Sequence, residues 1–278
     1  MFTLNCNGRL LLMEKPAVMG IINLTPDSFY AESRQGHITN ALHTAERMLS
    51  EGAAILDIGG QSSRPGSERI SEEQELRRVI EPLGEITKRF PEAFISIDTF
   101  YAVVAREAVA RGASIVNDIS AGSIDPNLHS TVASLKVPYV LMHMQGNPQS
   151  MQVKPSYEDV TREVLDFFIR ETAKLKSMGI HDIIPDPGFG FGKTMAHNFQ
   201  LLRDLQVFEM LKAPLLIGVS RKSTISKTLG VPTEETLNGT TALNTIGLVN
   251  GAMILRVHDV KEAVQAVTLY NSVYCSNK

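Results

Sequence analysis

Residues 94–118 read FISIDTFYAVVAREAVARGASIVND. Two short runs rich in β-formers, Phe94–Thr99 and Ser114–Asp118, flank a stretch from Tyr101 to Arg111 whose apolar residues recur at helical spacing. Strand, helix, strand is the βαβ unit, in which parallel strands are joined by a crossover helix. Alternation along the first run puts Ser96 and Asp98 on one face and Ile95 and Ile97 on the other.

The pattern repeats in both directions. Strands are predicted at Val18–Asn23, Ala54–Gly60, Tyr139–Met144, Asp182–Asp186, Leu215–Ser220 and Met253–His258 as well, with helices at Asn40–Glu51, Ser71–Arg89 and Tyr157–Met178 among those between them. Eight strand and helix pairs predict an α/β protein of the (β/α)8 barrel type, since a doubly wound sheet usually stops near six strands. No Pro/Gly/Ser linker divides the 278 residues, so a single domain spanning 1–278 is expected, with a barrel core over about 17–272. The loops after the first two strands, Thr25–Thr39 and Gln61–Ile70, are long and polar, which is how mobile lids read.

Composition narrows the function classes. With 43% hydrophobic residues the chain can fill a sizeable core, and a net charge of −3 gives no sign of a nucleic-acid binder. Cys6 and Cys275, one near each end, offer neither a disulfide framework nor metal-ligand spacing, so a reducing cytoplasm is the expectation. Met1–Pro16 lacks the features of a signal peptide, and no run nears the roughly 18 apolar residues a membrane span needs. A soluble protein is expected.

In a barrel, active sites form where strands end, and there the sequence is dense in polar groups. Asn23, Asp98, Asn117, Asp118, Asp186, the run Ser220-Arg221-Lys222, Arg256 and His258 all fall at predicted strand ends. Gly218, Ser220 and Lys222 share parity, as do Ile254, Arg256 and His258, so these groups converge on one mouth. Singly, a strand-end Asp or Asn can equally be the N-cap of the next helix, and Asp118 is assigned so. For the whole set, drawn from six strands, a shared polar site is the better reading.

The segment Asp186–Thr194 ends in Gly-Lys-Thr but has three residues between Gly188 and Gly192, not the four of a phosphate-cradling loop. The seven histidines show no paired ligand spacing for zinc. Arg64, Arg256 and His258 would place cations at one rim, which suits an anion, phosphate being the commonest. Asp98, Asn117 and Asp186 suggest a second region, because buried carboxylates need donors and a flat heterocycle with adjacent N–H and amino groups supplies them. Lys222 could then meet a ring carbonyl or nitrogen.

Taken in order, Asn23–Phe29, Asp57-Ile58-Gly59-Gly60, Ser63-Arg64-Pro65-Gly66, Ser96-Ile97-Asp98, Val116-Asn117-Asp118, Met142–Gly146, Asp186–Lys193, Ser220–Ser223 and Arg256–Asp259 resemble the bacterial dihydropteroate synthases from end to end. The resemblance implies joining p-aminobenzoate to 6-hydroxymethyl-dihydropterin pyrophosphate, with Mg²⁺ aiding release of pyrophosphate. It implies that Asp98, Asn117, Asp186 and Lys222 hold the pterin, with Met142 packed beside it and Gly218 lining the same site. Asn23, Arg64, Arg256 and His258 would hold pyrophosphate, Asn23 also being near the metal. Ser63, Pro65, Phe191 and Ser220 would border the p-aminobenzoate pocket. Such proteins are typically homodimers in the cytoplasm, and the length leaves no room for a fused pterin pyrophosphokinase.

Two positions depart from the pattern. Ser63 stands where the family usually has Thr, and Ala31 stands where it has an Asp thought to stabilise the developing cation. The adjacent Glu32 could take that place. A pterin-dependent methyltransferase shares the barrel and the pterin carboxylates but does not need the Arg-x-His anion site. A non-catalytic pterin-binding paralogue would be consistent with the altered first loop.

Overall fold

A computed structural model describes residues 1–25, 34–61, 67–146, 151 and 155–275. Eight parallel strands form its centre: β3 (Ala17–Asn23), β4 (Ile55–Gly59), β5 (Phe94–Asp98), β6 (Ile115–Asp118), β7 (Tyr139–Met142), β8 (Ile183–Asp186), β9 (Leu216–Ile217) and β10 (Ile254–Val257). Their order is β8-β7-β6-β5-β4-β3-β10-β9, and the two end strands, β8 and β9, lie against each other, so the sheet curls into the expected barrel. Outside it run α1 (Arg34–Ser50), α2 (Glu72–Arg89), α3 (Ala102–Ala110), α4 (Leu128–Leu135), α5 (Val160–Ser177), α6 (Met195–Arg203), α7 (Ser223–Leu229), α8 (Leu237–Val249) and α9 (Val260–Tyr274).

Local chemistry sets the helix starts. Ser71 and Gln74 make a reciprocal capping box at α2, Thr194 and His197 another at α6, and the Asp159 carboxylate accepts from Thr161 and Arg162 at α5. The predicted strands run a residue or more too far at their C-terminal ends in most units. At β9 the ladder stops at Ile217, and Gly218–Ser220 lie beyond it. Ladder bonding ends where the chain must turn toward a helix, and apolar composition does not mark that point.

Two features escaped the βαβ pattern. Phe2–Cys6 (β1) and Arg9–Met13 (β2) form an antiparallel hairpin closed by Asn7-Gly8, both at positive φ (56° and 85°). That is the turn chemistry a two-residue hairpin requires. Between β9 and β10 the chain makes two helices, α7 and α8, in place of one.

The hairpin explains why function sits at one end. Leu4, Cys6, Leu11 and Met13 pack into a layer with Met19, Ile55, Ile115, Val140, Ile184, Leu216 and Ile254, closing the N-terminal end of the barrel. Each fully buried Ile, Leu or Met there is worth about 1.5–3 kcal/mol over its exposed state. Arg9 anchors the hairpin by donating to the carbonyls of Pro91 and Glu92 at 2.7 and 2.6 Å. Alternate residues Ile95, Ile97, Val116, Leu141 and Leu255 face outward into the helical layer.

Candidate active site

Register builds the site in rows. Asn23 aligns with Gly59, Gly59 with Asp98, and Asp98 with Asn117, so the inward positions of β3 to β6 form one continuous row at the mouth. One step down, Ile21, Asp57 and Ser96 form the next row. Met142 and Asp186 pair across β7 and β8, while Arg256 projects from β10 beside Met19. The barrel interior therefore changes from all-apolar at its closed end to predominantly polar at its open end.

Arg256 ties the rows together. Its Nε donates to Asp57 Oδ2 at 2.6 Å and its second guanidinium nitrogen to Asp98 Oδ2 at 2.6 Å. Asp57, 0% exposed, also accepts from Asn117 Nδ2 at 3.0 Å. That bond orients the amide so that its oxygen is left to accept from a ligand. Burial pushes the Asp98 carboxyl up to about 7 against the pull of Arg256, and the Asp57 charge pushes the same way. Burial alone would lower the guanidinium, but Asp57 and Asp98 hold it above its ordinary value.

The β8–α6 loop supplies the next group. Burial raises the Asp186 carboxyl, with the Lys222 ammonium working against it. One carboxylate oxygen accepts from Gly188 N–H at 2.8 Å. Gly188, at φ 68°, is pressed so close to β7 that an added Cβ would lie 1.9 Å from the His143 carbonyl oxygen. Lys222 donates to the Phe189 carbonyl, and its ammonium lies 4.8 Å from the centre of the Phe191 ring. Burial lowers this lysine to about 8. Met142, buried at 3% exposure, ends β7 next to Asp186.

Ser220 and His258 link the two remaining loops. The serine hydroxyl lies 3.2 Å from His258 Nδ1 and accepts from the His258 backbone N–H at 3.2 Å. Between Ser220 and Lys222, Arg221 adopts the left-handed conformation (φ 52°), unfavourable for a side chain of its size. Its guanidinium forks onto Asp259, Nε to Oδ2 at 2.8 Å and a terminal nitrogen to Oδ1 at 2.7 Å.

The structure thus brings Asp98, Asn117, Asp186, Lys222, Ser220, Arg256 and His258 to the C-terminal end of the barrel, with Asn23 half-buried at the same rim and Met142, Phe191 and Gly218 nearby. In place of a free cation at an anion rim, Arg256 is already engaged by two carboxylates. Ser63, Arg64, Pro65, Ala31 and Glu32 lie outside the described residues. Asp118 does cap backbone, accepting from Ser120 and Gly122 N–H at 2.7 Å each, but these belong to a turn, and Asn127 occupies the N-cap position of α4. Two residues escaped the sequence reading of the site, Asp57 and Asp259, and Arg221, read at its strand end, was given no partner. An aspartate among Ile55, Leu56 and Ile58 was the signal for the first, because an isolated carboxylate in an apolar strand demands a buried donor.

Comparison with known proteins accounts for this arrangement. The sequence model of the pterin binding enzymes matches residues 19–258, and the chain belongs to that family. It is 45% identical to the dihydropteroate synthase of Escherichia coli K12 over 262 residues, covering 94% of this chain and 92% of the relative. The Yersinia pestis dihydropteroate synthase, solved with a sulfonamide drug complex, superposes with a TM-score of 0.93 at 40% identity, covering 99% of this chain and 100% of the other. The Xanthomonas albilineans dihydropteroate synthase in complex with 7,8-dihydropteroate superposes with a TM-score of 0.88 at 39% identity, covering 98% of each chain. Within the pterin binding enzymes the chain is a transferase of the dihydropteroate synthase group. Among the described residues no helix is long and apolar enough to cross a membrane.

Proposed function

We propose that the protein condenses p-aminobenzoate with 6-hydroxymethyl-7,8-dihydropterin pyrophosphate, yielding 7,8-dihydropteroate and pyrophosphate. The observation that carries this is the inward cluster of Asp98, Asn117, Asp186 and Lys222, joined through Arg256 to the His258 side of the mouth. Solved relatives from Xanthomonas albilineans hold 4-aminobenzoic acid in one case and 7,8-dihydropteroate in another, which agrees with the reading.

The chemistry follows from the residues. Asp98 and Asp186 accept from the ring N–H and amino groups, the Asn117 oxygen accepts from another ring donor, and Lys222 donates to a ring acceptor. As the ring takes the place of Arg256 at Asp98, Asp57 keeps hold of Nε and the guanidinium's other nitrogens turn to the pyrophosphate. The methylene C–O bond breaks, leaving cationic character on the pterin methylene, and Arg256 and His258 take up charge on the departing pyrophosphate. The amine lone pair forms the C–N bond and the amine releases a proton. No nucleophile and base pair is needed, so the site's work is positioning.

Asn23, at the C-terminal end of its strand, offers an amide oxygen of the kind Mg²⁺ takes as a ligand. Held through Asn23, Mg²⁺ would supply positive charge to offset that developing on the departing pyrophosphate. The exposed apolar residues Ile246 and Val249 on α8 and Leu269, Val273 and Tyr274 on the adjacent α9 form a face suited to a second copy of the chain, and a homodimer by analytical ultracentrifugation is the expected state.

The test of the activity is pyrophosphate release with both substrates and Mg²⁺ present, and none when p-aminobenzoate is omitted. Pterin pyrophosphate binding without release would identify a non-catalytic paralogue. Methyl transfer to a corrinoid protein would identify a methyltransferase.

A further inference from the structure

The Gly-Lys-Thr ending that fails as a phosphate loop has a different use. Lys193 is buried, at 3% exposure, and its four hydrogen-bond partners are all neutral. Nζ donates to the carbonyls of Gly188 at 3.0 Å, Phe191 at 3.0 Å and His143 at 3.2 Å, and lies 3.0 Å from His143 Nδ1. The loop curls around its own ammonium, which also grips the end of β7.

We propose that Lys193 is the positioning residue of the site, its ammonium filling the centre of the β8–α6 loop as a built-in cation so that Asp186 and Phe191 face the mouth. This rests on the dihydropteroate synthase reading for which ligands those two residues meet.

Three carbonyl oxygens converging on one point away from water need a multiple donor there, and an ammonium supplies three N–H groups from a single atom. With His143 Nδ1 the acceptors number four, so an ammonium shares one of its three N–H groups, while a neutral amine has two N–H groups for the same four. Gly188 and Gly192 pack the loop against the backbone of His143 and Gln145, where an added Cβ would meet carbonyl oxygens at 1.9 and 2.4 Å. Burial and the Lys193 charge hold His143 down to about 3, so its ring is neutral and Nδ1 accepts. Burial lowers Lys193 to about 7, and of the charged groups facing it Asp186 favours the protonated form while Lys222 opposes it. The cation thereby also favours an ionised Asp186. Gly190 N–H donating to Asn198 Oδ1 at 2.7 Å and the Tyr157 hydroxyl donating to the Gly192 carbonyl at 2.8 Å hold the loop's outer side.

The experiment compares the parent with Lys193→Met, which keeps the volume and removes the donors. In a variant with a cooperative thermal transition, amide exchange at Gly188, Gly190 and Phe191 speeds up at least tenfold with the rest of the barrel unchanged. KM rises at least tenfold for the pterin substrate and several-fold for p-aminobenzoate, while inorganic pyrophosphate, held on the other side of the mouth, binds within twofold of the parent. In Lys193→Ala, added methylammonium restores both loop protection and KM. Exchange and KM within twofold of the parent in Lys193→Met would overturn the proposal, as would an effect spread evenly over the barrel or over both ligands. If Lys193→Met does not fold, Lys193→Gln, which keeps two donors, is read by the same criteria. A parent that makes no dihydropteroate refutes the reading of the activity, and the exchange result still decides the role of Lys193.

Discussion

Asp57→Asn tests the keystone of the mouth. The carboxylate is 0% exposed and holds Arg256 Nε at 2.6 Å and Asn117 Nδ2 at 3.0 Å. An asparagine still offers Arg256 one oxygen, but it removes the charge and puts a donor where an acceptor stood. A hydrogen bond to a charged group contributes about 1.5–3 kcal/mol, and once the ring occupies Asp98 the Arg256 guanidinium has Asp57 as its remaining carboxylate, so the loss is set at about 2–3 kcal/mol. At 1.36 kcal/mol per factor of ten, kcat/KM for the pterin substrate falls roughly 30- to 150-fold. KM for p-aminobenzoate stays within about twofold, because Asp57 supports only groups assigned to the pterin and pyrophosphate. The assay is steady-state pyrophosphate release with each substrate varied in turn, with thermal unfolding of both proteins alongside. A folded Asp57→Asn protein within threefold of the parent in kcat/KM would refute the reasoning.

Three further outcomes are expected. Arg221→Lys loses the fork onto Asp259, and since that fork holds the Ser220–Lys222 loop against the His258 loop, pyrophosphate affinity by calorimetry falls about tenfold; an unchanged affinity would count against the coupling of these loops. Burial pushes the Glu75 carboxyl up to about 8, with the Asp98 charge adding and the Thr99 hydroxyl opposing. The native state then keeps a proton that the unfolded chain releases above about pH 4.3, so stability from this group is complete below that pH and is lost as pH rises to 8. Urea unfolding at pH 5 and pH 8 should show a smaller difference in Glu75→Gln than in the parent, and an equal difference would contradict the assignment. Glu32→Ala lowers turnover at least tenfold if Glu32 stabilises the developing cation in place of the Asp missing at Ala31; unchanged turnover removes Glu32 from the chemistry.

Much of this was legible in the chain because a barrel strand has a period of two and ends at the mouth. Parity alone put Ser96 and Asp98 inside, and the register confirms them on the inward rows with Asp57 and Asn117. Period says nothing about what an inward group will meet. Arg256 was assigned to an anion, yet its partner Asp57 lies 199 residues away in sequence, and only closure of the barrel brings them together. The Gly-rich loop hid Lys193 for a related reason: spacing excludes a phosphate cradle but cannot show a side chain turned back onto its own carbonyls. Asn7-Gly8 between alternating apolar residues is a readable hairpin signal, but it stands outside the βαβ repeat that defines the rest of the chain. Arg221 was placed at its strand end, but its left-handed backbone and its fork onto Asp259 have no sequence signature.

The central claim is that one barrel mouth holds a pterin on carboxylates and discharges its pyrophosphate to an aromatic amine. Mass-spectrometric quantitation of 7,8-dihydropteroate alongside released pyrophosphate, from purified protein with both substrates and Mg²⁺, measures that claim most directly. The account predicts the two products in equal amounts, and neither from Asp186→Ala protein at the same concentration. Pyrophosphate without dihydropteroate, or equal yields from the parent and Asp186→Ala, would contradict it.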